Sequence, residues 1–125
     1  MSSLFIIRGL PGSGKTELAH EITSNIFSAD DYFINPQTGE YTFIVAWLPL
    51  AHSNCIQRVR LAMQSNLPKI AVANTFSMRW EMQPYYDAAK QFNYRVYELT
   101  ANGKFTSIHD VPQTTIDRMK ARWEE

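Results

Sequence analysis

The sequence predicts an α/β fold of three layers, a parallel sheet of about four strands with helices on both of its faces. Three observations predict it. Short β-prone runs at 4–7, 26–28, 70–73 and 95–99 alternate with segments whose apolar residues recur every three or four positions. The runs at 4–7 and 70–73 are continuously apolar, as buried strands are. A glycine-rich turn joins the first run to the first helical segment. The size agrees with one domain over residues 1–125: a chain of 125 residues, 45% hydrophobic and 19% charged, buries roughly two thirds of its unfolded surface around a single core.

The first strand, Leu4-Phe5-Ile6-Ile7, leads into Gly9-Leu10-Pro11-Gly12-Ser13-Gly14. A helix is expected from Lys15 to Ser24 with Leu18, Ala19 and Ile22 inward. The second strand, Ile26-Phe27-Ser28, ends at the acidic pair Asp30-Asp31, and Asn35-Pro36-Gln37-Thr38-Gly39 is turn chemistry. Pro49 suits the first turn of a long helix carrying Leu48, Ala51, Cys55, Val59, Ala62 and Met63 inward. Pro84 is tolerated only near a helix start, so the next helix opens around Glu81 with Tyr85, Ala88, Ala89 and Phe92 inward. A last helix begins at Pro112 and sets Ile116, Met119 and Trp123 on one side.

Gly9 to Thr16 spells G-x-x-x-x-G-K-T between a strand and a helix, the context that gives this pattern a mechanism. Gly9, Gly12 and Gly14, with Pro11 and Ser13, let the backbone turn its N–H groups toward phosphate oxygens. The helix adds its positive end at the same point. Lys15 would bridge the β- and γ-phosphates of ATP, and the Thr16 hydroxyl would be a ligand of Mg2+.

Ligands of such sheets sit beyond the carboxyl ends of the strands, where Asp30-Asp31 falls. One of these carboxylates can accept the proton of an attacking hydroxyl, or the pair can cap a turn before Tyr32. The third strand ends in Ala73-Asn74-Thr75 without an acid, so magnesium would rest on Thr16, Asp30 and water. Asn74 and Thr75 either bond to substrate or cap the strand end.

Twelve Lys and Arg balance twelve Asp and Glu without a basic tract, so long nucleic acid is expected to bind weakly and only by local contacts. The lone Cys55 excludes an internal disulfide. The apolar run 4–7 is too short for a signal peptide or a membrane span, which points to the cytoplasm and to no membrane partner. His20, His52 and His109 are far apart and do not read as a metal site. The oligomeric state is left open.

Arg8-Gly9-Leu10-Pro11-Gly12-Ser13-Gly14-Lys15-Thr16, Ser28-Ala29-Asp30-Asp31-Tyr32-Phe33, Ala51-His52, Ala73-Asn74-Thr75-Phe76 and Trp80-Glu81-Met82, followed by Pro84-Tyr85, together resemble the polynucleotide-kinase-like P-loop family. The likeness is to its branch of short ATP-binding proteins common among phages and bacteria. It continues through Ile108-His109-Asp110-Val111-Pro112 to Arg122-Trp123-Glu124. The resemblance implies an ATP-dependent kinase with strand order 2-3-1-4 and a lid between the fourth strand and the last helix. It also implies work in the cytoplasm, that of the host for a phage protein.

Carried over, Lys15 and Thr16 take the nucleotide and Mg2+ positions, and Asp30 takes that of the general base. Three departures stand out. Phe33 occupies the place of an Arg that holds the substrate phosphate, Thr106-Ser107-Ile108-His109 lacks the lid Arg, and Ala73-Asn74 lacks the usual acid. Acceptor-side candidates are Asp31, Tyr32, Phe33, His52, Asn74, Thr75, Arg79 and His109. Tyr32, Phe33, Phe76 and Trp80 offer a stacking surface for a base, or else are core. The expected function is transfer of the γ-phosphoryl of ATP to a hydroxyl of a nucleic-acid end or nucleotide-like substrate. The alternative is a nucleotide-dependent binding or regulatory protein with little or no kinase activity.

Overall fold

The computed structural model describes residues 2–102 and 113–125. Strands β1 (Ser3–Arg8), β2 (Ile26–Phe27), β3 (Lys69–Asn74) and β4 (Arg95–Thr100) form one parallel sheet in the order β2-β3-β1-β4, as expected. β1 pairs with β3 from Ser3 against Lys69 to Arg8 against Asn74, and with β4 from Ser3 against Arg95 to Arg8 against Thr100. A strand flanked on both sides must be apolar on both faces, and Leu4, Ile6 and Ile7 are all fully buried.

Side-chain size along β3 distinguishes the two faces. Ile70 and Val72 join Leu4 and Ile6 in the larger core, under α2 (Leu48–Gln64) and α3 (Gln83–Phe92), with Val59, Met63, Met82 and Tyr85. Ala71 and Ala73 join Ile7 on the opposite face, where their short side chains leave space for Leu18, Ala19 and Ile22 of α1 (Lys15–Ile22). The predicted inward residues Ala51, Cys55, Val59, Ala62 and Met63 of α2 are buried, as are Tyr85, Ala88 and Ala89 of α3. Pro49 and Pro84 occupy first turns, where no intrahelical N–H is lost.

The structure corrects several boundaries. α1 stops at Ile22 rather than Ser24, because Thr23 turns extended and its hydroxyl donates to the Lys69 carbonyl, 3.0 Å away. Ser28 is not strand but the cap of a 3-10 turn, Ala29–Phe33. α3 opens at Gln83, after a 3-10 turn at Arg79–Met82 in which Glu81 accepts the Met78 N–H at 3.0 Å. Pro112 lies outside the described residues, and α4 spans Gln113–Ala121. Trp123 is therefore past the end of α4 and does not share a helix face with Ile116 and Met119. Its ring lies 4.3 Å from the Arg8 guanidinium, while the Glu124 N–H donates to the Ser77 carbonyl at 2.7 Å. Among the described residues no helix is long and apolar enough to cross a membrane.

Candidate functional site

β1 ends at Arg8 and α1 begins at Lys15, so the glycine-rich turn lies at the carboxyl end of the central strand. Gly14 caps α1 at φ 91°, a conformation that side chains resist. Gly9 is needed for a different reason: a Cβ there would stand 2.3 Å from Ser13 Oγ and 2.8 Å from the Ala101 carbonyl oxygen. Its N–H donates to the Thr75 carbonyl at 3.2 Å, and the Ser13 N–H closes the turn on the Leu10 carbonyl at 3.1 Å. The Ser13 hydroxyl is buried with no hydrogen-bond partner among the described residues. An orphaned buried group of this kind costs about 1–3 kcal/mol, and beside a helix N-terminus an anion is the ligand that relieves it.

The Lys15 ammonium donates to the carbonyls of Gly9 (2.9 Å) and Leu10 (3.1 Å). Burial lowers its pKa from 10.5 to about 8, against the opposing pull of the Asp30 and Glu17 carboxylates. Thr16 is exposed in the first turn of α1. An orphan hydroxyl, a partly desolvated ammonium and a loop too tight for a side chain at Gly9 together fit a phosphate chain.

The Ser28-Ala29-Asp30-Asp31 turn is held as a capping box. The Ser28 hydroxyl accepts the Asp30 N–H, and Asp31 Oδ2 accepts the Ser28 N–H, each at 3.1 Å. Arg58 from α2 fastens the same turn, donating to Asp31 Oδ2 (3.2 Å), the Ser28 carbonyl (2.9 Å) and Asn54 (2.8 Å). Asn74, at the end of β3, accepts the buried Ala29 N–H at 2.8 Å and the Ser28 hydroxyl at 3.2 Å. Its amide points at Cys55 Sγ, 3.8 Å away. Asp31 and Asn74 thus fix the turn, while Asp30 is the carboxylate that acts on Lys15 and accepts the Tyr41 hydroxyl at 3.3 Å. Burial, then the Asp30 charge, raises the Tyr41 pKa well above its ordinary value, so the phenol stays a donor.

The other candidates separate. Thr75 meets the loop through its carbonyl, and His52 is exposed on α2. Arg79 is clamped by Glu98 of β4 at 2.7 and 2.8 Å, and this pairing, ahead of other contacts, holds the Glu98 carboxyl below its usual range. Phe33 and Phe76 are core, whereas Tyr32 and Trp80 are exposed. His109 lies outside the described residues, as do Lys104 and the rest of 103–112.

Sequence reasoning missed Tyr41, Arg58 and Arg8. For Tyr41 a signal existed: the Asn35–Gly39 turn folds the chain back, and an antiparallel bridge pairs Ile34 with Tyr41. Arg8 is buried, donating through Nε and Nη2 to the Phe76 carbonyl at 3.1 and 2.7 Å and to the Glu124 carbonyl. Among the described residues no three His, Cys, Asp or Glu side chains converge on a metal. Magnesium carried by phosphates needs only one or two protein oxygens, which Thr16 and Asp30 can offer.

This sheet order, with a glycine-rich turn between β1 and α1, defines a P-loop kinase fold, and the resemblance to polynucleotide-kinase-like P-loop proteins holds for the fold. The chain belongs to the AAA domain family, whose model matches residues 4–102. It is 35% identical, over an alignment of 136 residues, to NEDD4-binding protein 2 of Homo sapiens; the match covers 97% of this chain and 8% of that protein. A chain of the Pnkp1/Rnl/Hen1 RNA repair complex superposes with a TM-score of 0.67 at 18% identity, covering 97% of this chain and 43% of that one. Kti12 of Chaetomium thermophilum, solved with ADP-AlF3, superposes with a TM-score of 0.58 at 14% identity, covering 98% of this chain and 80% of its own.

Proposed function

We propose that this protein binds ATP with Mg2+ on the loop 9–16 and transfers the γ-phosphoryl to a hydroxyl of a nucleic-acid end or nucleotide-like acceptor. The observation that carries this reading is the glycine-rich turn itself, where the buried Ser13 hydroxyl has no partner among the described residues and the Lys15 ammonium rests on the Gly9 and Leu10 carbonyls. Gly9, Pro11, Gly12, Ser13 and Gly14 shape the cradle, and Lys15 exchanges its two carbonyl partners for the β- and γ-phosphates. Thr16 and Asp30 would hold Mg2+, which when bound neutralises charge on the phosphates. The acceptor oxygen bonds to the γ-phosphorus as the bond to the departing ADP oxygen breaks, and Asp30 takes the hydroxyl proton. Tyr41 keeps that carboxylate oriented.

The ADP-AlF3 complex of Kti12 and the RNA repair complex support this reading, and a buried lone thiol suits a protein of the cytoplasm. A second reading, a nucleotide-dependent binding protein with little transfer, rests on residues 102–111. Lys104 and His109 are the only basic side chains there, where phosphoryl transfer calls for positive charge.

Labelled ATP and a panel of hydroxyl acceptors separate the two. The wild type should label an acceptor, and Asp30→Asn should still bind nucleotide while transfer falls about 10²–10⁴-fold. ATP binding without product from any acceptor would overturn the kinase reading in favour of the second. Loss in Asp31→Asn but not in Asp30→Asn would mean that the base is Asp31.

A further inference from the structure

The aromatic side chains around the acid turn divide into two kinds. Phe33 is buried, but Tyr32, Phe43 and Trp47 keep 38%, 50% and 47% of their surface exposed. These rings are not scattered. Tyr32 stands edge-on to Trp47 at 6.5 Å and to Phe33 at 5.8 Å between centroids. Phe33 in turn meets Phe43 at 5.2 Å and Tyr41 at 6.2 Å, and the Tyr41 hydroxyl reaches Asp30. Ring contacts therefore run without a break from the proposed base to the open surface.

The segment that carries these rings is one-sided in charge. From Thr16 to Gln57 the chain has no Lys or Arg, but it has the carboxylates of Glu17, Glu21, Asp30, Asp31 and Glu40. The next cation, Arg58, is engaged by Asp31, the Ser28 carbonyl and Asn54. A phosphate on these rings would meet the Asp30 and Asp31 carboxylates of the same turn and no uncommitted Lys or Arg from that stretch, whereas an uncharged flat ring would find aromatic faces and edges.

We propose that Tyr32, Phe43 and Trp47 form the acceptor subsite and stack the base of an unphosphorylated nucleoside, whose hydroxyl then reaches Asp30. This rests on the kinase reading above and narrows it. The γ-phosphoryl passes to the nucleoside hydroxyl, the proton passes to Asp30, and the products are ADP and a nucleoside monophosphate. Phosphate-bearing acceptors, including polynucleotide ends, are disfavoured by the same carboxylates.

The test offers the purified protein, with Mg2+ and labelled ATP, the four ribonucleosides, their 3′-monophosphates, a 5′-hydroxyl oligonucleotide and choline. Nucleosides should react with a lower KM than their 3′-monophosphates. Trp47→Ala and Tyr32→Ala should raise the nucleoside KM about five- to 150-fold, and Trp47→Phe, which keeps a ring, should recover most of that. ATP affinity should hold in all three, which also reports that the half-exposed rings were removed without loss of fold. Equilibrium dialysis of labelled nucleoside reads the subsite without turnover. If no acceptor is labelled yet nucleosides bind and Trp47→Ala releases them, the kinase reading fails and the subsite stands. The subsite is overturned if nucleosides neither bind nor react, or if 3′-monophosphates or the oligonucleotide are preferred. It is equally overturned if choline, held by cation–π attraction, displaces nucleosides, or if the ring variants leave KM and Kd unchanged.

Discussion

Replacing Asn74 by Ala isolates how far the acid turn depends on the strand end beneath it. The substitution removes the acceptor of the buried Ala29 N–H, 2.8 Å away, and of the Ser28 hydroxyl, 3.2 Å away. The hydroxyl is half-buried and can turn to water; the N–H cannot. An unpaired buried N–H costs about 1–3 kcal/mol, and the space left by the carboxamide adds to it, so a loss of about 2–3 kcal/mol is expected. With a urea slope of about 1–3 kcal/mol per molar, the unfolding midpoint should fall by about 0.7–3 M. Asp30 is the next residue of the turn, so transfer should fall as well. ATP affinity should hold, because the glycine loop is tied to Thr75 through backbone. Urea titration by circular dichroism, paired with labelled-ATP transfer and nucleotide dialysis, reads all three. A midpoint and a transfer rate both equal to wild type would refute the tie between β3 and the turn. Lost stability with full transfer would make Asn74 a structural fastening and nothing more.

Lys15→Ala should weaken ATP binding strongly in a protein that still unfolds cooperatively, and undiminished affinity by dialysis would remove the phosphate-loop reading. The same ammonium predicts a pH dependence. It must be charged to pair with phosphate and in the free protein loses its proton near pH 8, so ATP affinity should be level below that pH and fall by up to about tenfold per unit above it. Affinity constant to pH 10 would contradict this. Arg8→Met removes a buried cation whose Nη1 is 3.6 Å from Glu98 and which serves the Phe76 carbonyl. Glu98 keeps Arg79, so the group left unpaired is the Phe76 carbonyl; a cost of about 1–3 kcal/mol is expected, with protease nicking near Trp123 as the tail is released, and wild-type stability would show that the tail is held by other means.

The strands, their order and the buried faces of α2 and α3 were legible because apolar periodicity reports burial directly. Position of the glycine-rich turn was legible because its spacing is fixed by backbone geometry. The acid turn was not. In a 3-10 turn residues three apart share a side, so Asp30 and Phe33 lie together and Tyr41 touches both. That relation appears only once the turn type is known. Phe33 and Tyr32 are adjacent aromatics with nothing in their spacing to say which is core. Arg8 and Trp123 were beyond reach for a further reason: a polar partner more than a hundred residues away is set by the assembled sheet, and no local pattern encodes it.

The register of β1 has a consequence for how the protein is made. No strand of the sheet pairs with its successor through a hairpin: Ser3 must wait for Lys69 on one side and Arg95 on the other, and Ile26 for Ala71. At a synthesis rate of about 5–20 residues per second, Leu4-Phe5-Ile6-Ile7 spends roughly 3–13 s without its first neighbour. During that interval the most apolar segment of the nascent chain has no native strand beside it, and chains cut short before Lys69 should collect as insoluble aggregates or on chaperones, while those that reach Thr100 can close the sheet.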